Sequence, residues 1–196
     1  MSRKLIAMIG VPGSGKSTVM KEFMYEWEWS KDRYKLLDYH RSGDVYVLGK
    51  YEEGEVFCGT DRLAMNVMPD AIEFLEETKD GVVVFEGDRL SSSKYFKEAQ
   101  RIGWEVSIYH IIAGESERER RYKERGSDQS AKFIESRITK VSNIVEEFGD
   151  SQTLFGEEEG CVIPMFNNNK PDIDRIAQTI HEEINDHFIA GALEDL

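Results

Sequence analysis

Gly10-Val-Pro-Gly-Ser-Gly-Lys16-Ser17-Thr18 fits the pattern G-x-x-x-x-G-K-[ST]. The chemistry that needs this spacing is a grip on a chain of phosphates. Glycines let the backbone curl so that successive N–H groups converge on phosphate oxygens. A helix starting at the end of the curl adds the positive end of its dipole. Within such a loop Lys16 reaches the β- and γ-phosphates, and the Ser17 hydroxyl is a ligand for Mg²⁺. The expected cradle is therefore Gly10, Pro12, Gly13, Ser14, Gly15, Lys16, Ser17 and Thr18.

Acidic groups fall where such a loop would need them. Gly81-Val-Val-Val-Phe85 reads as a strand buried on both faces, and Glu86-Gly-Asp88-Arg89 follows it. A carboxylate there can hold Mg²⁺, directly or through water, or take a proton from an acceptor. It can equally cap the next helix or pair with Arg89. Asp38 ends another expected strand, Tyr34 to His40, and is either a base for an acceptor hydroxyl or a partner of Arg41. Asp61-Arg62 is a similar polar pair, and His40 reads as a packed or solvent-exposed histidine more than as a general base. Arg118, Arg121 and Arg125 recur at i, i+3 and i+7 on a densely charged helix, Glu115 to Arg125. They suit a lid closing on a transferring phosphoryl group. The intervening Glu117, Glu119 and Glu124 suit a solvated face instead.

The elements that must carry these groups alternate between strand and helix. Leu5 to Ile9, Tyr34 to His40, Gly81 to Phe85, Val106 to Ile112 and Val162 to Phe166 read as strands, the last at an edge because of Pro164. Helical stretches separate them. The expected architecture is an α/β three-layer sandwich: a parallel five-stranded sheet, helices on both faces, a β-hairpin insertion over about 44–58 and a helical lid over about 115–127. Ligands of such sheets bind at the carboxyl ends of the strands. The glycine loop, Asp38–Arg41, Glu86–Arg89 and the Asn167–Asn169 turn all fall there.

The 196 residues suit one domain, 1–196. Mean hydropathy of -0.51 and the lack of a long apolar run argue against a membrane span. Met-Ser-Arg-Lys leads straight into the first strand, which argues against a secretory leader. Cys58 and Cys161 form no framework or metal pattern and fit a reducing, cytoplasmic setting. The net charge of -13 disfavours a general grip on duplex DNA, so a nucleic-acid contact would need a local basic patch.

Taken together, these residues resemble the P-loop nucleoside and nucleotide kinases of the thymidylate-kinase superfamily. The resemblance runs from Gly10–Thr18 through Asp88-Arg89, the arginine-rich segment and the Asn-rich turn before the last helix. Asp88-Arg89 is similar to the Asp-Arg of thymidylate kinases and the Glu-Arg of deoxynucleoside kinases, where the arginine contacts the acceptor. Leu90 departs from the Tyr or Ser of those families, and Asp38 to Asp61 departs from the thymidylate-kinase Arg-Glu-Pro segment. The chain looks most like small phage-type members, among them the 5-hydroxymethyluracil DNA kinases. The resemblance implies an ATP- and Mg²⁺-dependent kinase. Lys16, Asp38, Asp88, Arg121 and Arg125 would be catalytic, and Ser17, Glu86 and Asp88 would serve the metal. Arg41, Arg62 and Arg89 would serve the acceptor, and Asn168 the donor nucleotide. The acceptor would be nucleotide-like, either free or in modified DNA, in the host cytoplasm for a phage-encoded chain. The resemblance leaves room for a homodimer. The readings of other kinds are a nucleotide-hydrolysing switch, which lacks an Asn-Lys-x-Asp stretch here, and a non-catalytic binding module, which would not need an intact Lys16, Ser17 and acid set.

Overall fold

Leu5 to Ile9 and Val82 to Phe85 are buried on both faces, as strands at the centre of a parallel sheet must be. The computed structural model describes residues 3–52, 54–55, 58–124, 126, 130–149, 152–153, 156–157 and 161–194. Its strands are β1 (Arg3–Ile9), β2 (Ser30–Tyr34), β3 (Leu37–Ser42), β4 (Val45–Leu48), β5 (Gly81–Glu86), β6 (Glu105–Ile112), the short antiparallel pair β7 (Gln152–Thr153) and β8 (Gly156–Glu157), and β9 (Val162–Phe166). The helices are α1 (Lys16–Tyr25), α2 (Met68–Glu77), α3 (Ser93–Arg101), α4 (Glu115–Glu124), α5 (Ala131–Gly149) and α6 (Lys170–Glu194).

Among the described residues the main sheet has seven strands in the order β2-β3-β4-β5-β1-β6-β9, not the five expected. The run β4-β5-β1-β6-β9 is parallel, and β2 and β3 add an antiparallel hairpin at one edge. The difference has a local cause. Tyr34 to His40 is not one strand, because Lys35 takes a left-handed φ of 53° and turns the chain between Tyr34 and Leu37. The strand beside β5 is β4, whose Val45, Val47 and Leu48 are buried. The hairpin insertion is thus 30–42. Over 44–58 the described residues hold β4 and an isolated bridge from Lys50 to Gly59; Glu53, Val56 and Phe57 lie outside the described residues. Edge strand β2 is exposed and reads Ser-Lys-Asp-Arg-Tyr, charges that discourage pairing with another chain.

Two apolar layers cover the sheet. Ile6, Met8, Val82 and Val84 pack with Val19, Met20 and Phe23 of α1 and Ile176, Ile180 and Ile184 of α6. Leu5, Ala7, Val83 and Phe85 pack with α2, α3 and α5 through Leu75, Tyr95, Phe96, Ile144 and Phe148. Trp27 and Trp29 pack against the first layer, and the Trp27 indole donates to His181 at 3.0 Å. Glu183 ties α6 to the sheet. It meets the Lys4 ammonium at 2.8 Å, accepts from the Ser107 hydroxyl at 2.6 Å and also from the Tyr109 hydroxyl. Among the described residues no helix is long and apolar enough to cross a membrane.

Candidate active site

β1 ends at Ile9, the loop follows, and α1 begins at Lys16, so the glycine motif stands in a strand–loop–helix setting at the carboxyl edge of the sheet. Gly15 is required there. Its φ is 92°, and a Cβ on it would collide with the Asn167 amide and the Arg121 guanidinium. The Lys16 ammonium folds back to donate to the carbonyls of Gly10 at 2.8 Å and Val11 at 3.3 Å.

Facing it, Glu86 at the end of β5 is fully buried. The Ser17 and Tyr51 hydroxyls are its hydrogen-bond partners, and Gly59 packs so closely that a Cβ there would overlap the carboxylate. Burial pushes its pKa up to about 7; the nearby Asp61 charge adds to the rise, and Lys16 and the hydroxyls oppose it. Asp61 lies on a short 3-10 turn, Thr60–Arg62, and its carboxylate accepts from the Asp88 N–H at 2.6 Å. Gly10, Pro12, Gly13, Gly15, Lys16, Ser17, Asp61, Glu86 and Asp88 all line one cleft. Ser17, Asp61 and Glu86 are an oxygen-only donor set, the kind a hard cation such as Mg²⁺ takes while keeping water and phosphate oxygens as its other ligands.

The other expected site residues are placed as follows. Asp88 lies in the cleft but its carboxylate is paired with Arg137 at 3.0 Å and Lys140 at 2.8 Å, both from α5. Asp38 sits at the correct edge of the sheet but on β3. With β4 and β5 between, it is on the order of 14 Å from β1 at strand spacing. Arg33 at 2.7 Å and Lys50 at 3.3 Å hold it, and they keep its pKa below the usual carboxylate value despite the opposing effect of burial. Because β3 runs antiparallel, Arg41 is carried away from the loop: it pairs with Tyr46, level with Leu5 of β1, and its guanidinium meets Asp44. Arg62 pairs with Glu52 at 2.9 Å. Arg89 donates to the Asp61 carbonyl at 3.3 Å and reaches the Met65 sulfur. None of Asp38, Arg41, Arg62 and Arg89 lines the cleft. His40 is a buried histidine set edge-on to Tyr51, and burial lowers its pKa.

α4 occupies the expected lid position, but Arg121 faces the back of the glycine loop. Its guanidinium donates to the carbonyls of Gly13 at 3.1 Å, Ser14 at 2.9 Å and Asn167 at 3.1 Å, and Glu117 holds it at 2.7 Å. The Tyr122 hydroxyl donates to the Pro12 carbonyl at 2.6 Å. Arg125 lies outside the described residues. Of the asparagine turn, Asn167 is the buried member, its amide donating to the Ser14 carbonyl at 2.8 Å. The Asn168 side chain accepts from the Gly114 N–H at 2.9 Å and so braces the start of α4. Gly15, Thr18, Arg121, Asn168 and Ile173 share a second depression behind the loop.

Sequence reasoning passed over Tyr122, Arg137 and Lys140. The last two carried a signal, because two cations at i, i+3 on a helix share a face. A bracing role for Arg121 makes a direct expectation. Arg121→Ala weakens ATP affinity by roughly 1.5–3 kcal/mol, about ten- to a hundredfold, because the loop loses charge-assisted hydrogen bonds to its carbonyls. Titration with a fluorescent ATP analogue measures it. Unchanged affinity alongside a reduced turnover would mark Arg121 as a group acting on the transferring phosphoryl instead.

Residues 1–159 match the family model described as P-loop Nucleotide Kinase3. No curated protein matches the chain. Among solved structures, the chain is similar to the tunicamycin resistance protein of Deinococcus radiodurans, with 15% identity over 94% of this chain and 96% of that one and a TM-score of 0.48. It is similar also to a sugar kinase of Janibacter sp. HTCC2649, with 13% identity over 91% and 94% and a TM-score of 0.46. A third is the APS kinase CysC of Mycobacterium tuberculosis in complex with AMPPNP and APS, with 14% identity over 92% and 96% and a TM-score of 0.42.

Proposed function

The chain belongs to the P-loop Nucleotide Kinase3 family, and on that footing we propose that it transfers the γ-phosphoryl group of ATP to a nucleotide-like acceptor. The observation that carries the reading is the pairing, in one cleft, of Lys16 and Ser17 with the buried carboxylate of Glu86. A glycine loop alone binds phosphates. A loop lysine and hydroxyl facing a carboxylate shielded from water is what phosphoryl transfer requires, because its catalysis consists of positioning and charge stabilisation.

In this reading the loop N–H groups hold the donor phosphates, and Lys16 leaves its own loop carbonyls for the transferring group. Ser17 and Glu86, with Asp61 beside them, would hold Mg²⁺, which would supply neutralising charge to the donor phosphates. Arg121 and Asn167 keep the loop in shape from behind. The second depression, with Thr18, Asn168 and Ile173, takes the donor nucleoside. Asp88 with its two cations faces the acceptor side of the cleft.

The specific acceptor we propose is the hydroxymethyl group of 5-hydroxymethyluracil in DNA, on the strength of the sequence resemblance. An acceptor base within a duplex would have to leave the stack to reach Lys16. The test is transfer of label from γ-labelled ATP to DNA containing 5-hydroxymethyluracil, to unmodified DNA and to free nucleosides and monophosphates. Label confined to free monophosphates removes the DNA reading and leaves a nucleotide kinase. Hydrolysis of ATP that no acceptor stimulates removes the kinase reading.

A further inference from the structure

One side of the cleft is built by α5. Arg137 and Lys140 stand one turn apart on its inner side, with Val141 and Ile144 beneath them and Phe133 above, and all five line the same cleft as Lys16 and Ser17. Lys140 donates to both the carboxylate and the carbonyl of Asp88, each at 2.8 Å. Arg137 meets the other Asp88 oxygen at 3.0 Å. Its guanidinium carbon lies 4.6 Å from the centre of the Phe133 ring, and its Nε is buried with no hydrogen-bond partner among the described residues.

We infer that Arg137, Lys140 and Phe133 form the subsite that recognises the acceptor, and that it takes a phosphate attached to a flat base. The inference rests on the kinase reading for calling this ligand the acceptor. Three observations separate a subsite from a plain clamp on the Asp88 loop. Two cations against one carboxylate leave the Arg137, Lys140 and Asp88 cluster with one positive charge in excess, in a chain whose overall charge is -13. A buried guanidinium N–H without a partner lacks the hydrogen bond that such groups nearly always make, and an anion entering the cleft can provide it. An aromatic ring against a guanidinium, with an apolar floor nearby, is a surface on which a base stacks. In the free chain the Asp88 carboxylate stands where an acceptor phosphate would pair, since guanidinium and ammonium groups bind carboxylate and phosphate by the same charge-assisted hydrogen bonds. The shared chemistry, a base with an adjacent phosphate, comes from either a free mononucleotide or a single DNA strand.

Calorimetric titration in the presence of a non-hydrolysable ATP analogue tests this with three probes: thymidine, thymidine 5′-monophosphate and a thymidine hexanucleotide. The wild-type chain is expected to bind at least one phosphorylated probe tenfold or more tightly than thymidine. A preference for the monophosphate alone, for the hexanucleotide alone or for both supports the subsite and identifies its source. In Arg137→Gln/Lys140→Gln the preference falls below threefold, while affinity for the ATP analogue stays within twofold as evidence of an intact fold. Each single variant is measured beside the double, so a misfolded double variant still leaves a result. Phosphorylated probes that bind the wild type no better than thymidine overturn the inference, as does a preference that survives both substitutions. Binding is read rather than turnover, so an enzyme that fails to transfer phosphate would defeat the kinase reading while these ratios still judge the subsite.

Discussion

Lys16→Ala lowers kcat for phosphoryl transfer by about a thousandfold, with the folded structure retained. The lysine has a small structural role. Its ammonium is satisfied by two carbonyls of its own loop, at 2.8 and 3.3 Å, and stands partly exposed at the first turn of α1. Loss of those bonds costs about 1 kcal/mol of stability, a shift of a few degrees in Tm. The catalytic effect is of another size because the ammonium stands beside charge that moves in the transition state, in a cleft where a buried carboxylate marks a water-poor interior. Steady-state rates with saturating acceptor, beside thermal melts followed by circular dichroism, separate the two effects. A variant with a normal melt and near wild-type turnover would show that the loop binds nucleotide without acting on it.

The loop was legible in the sequence because its chemistry is local: each residue contributes through its own backbone or through its immediate neighbours. Glu86 was legible for a related reason, since an apolar run buried on both faces must end at the sheet's edge, and the first carboxylate after it falls in the cleft. The acceptor side was not, because it depends on register. Left-handed Lys35 splits one expected strand in two, reverses β3, and thereby carries Arg41 to the wrong end of the sheet and leaves Asp38 with two strands between it and β1. β4 was hidden because Val45-Tyr-Val-Leu alternates like a hairpin arm. Its parallel pairing with β5 is a long-range fact. Arg121 shows the same limit. Its spacing with Arg118 was readable, but whether the guanidinium faces the phosphates or the carbonyls behind the loop depends on how α4 docks. In the asparagine turn the buried amide is Asn167 and the exposed one Asn168, a one-residue difference that only packing decides.

Glu86→Gln abolishes most of the activity, by about a hundredfold or more, and makes the unliganded protein more stable. The stabilisation depends on pH, and its sign follows from the direction of the shift. The carboxyl has its ordinary pKa of 4.5 in the unfolded chain and about 7 in the folded one. Below 4.5 it is protonated in both states and burial carries no charge penalty. Between 4.5 and 7 the unfolded chain gives up the proton first, so wild-type stability falls as pH rises. Above 7 both states are ionised and the loss levels off at about 3 kcal/mol, the free-energy equivalent of the shift. Glutamine stays neutral throughout and is spared that loss, although its amide matches the Ser17 and Tyr51 hydroxyls less well than a carboxylate does. Urea midpoints at pH 4, 6 and 8 should therefore show the variant about level with the wild type at the lowest pH and well above it at the highest. A difference that does not vary with pH would mean that Glu86 is ionised in the fold at all three. A carboxylate held under Gly59, in a place where its charge destabilises the free protein, fits the proposed function, in which that charge would serve a divalent cation and a triphosphate and stability would be given up for reactivity.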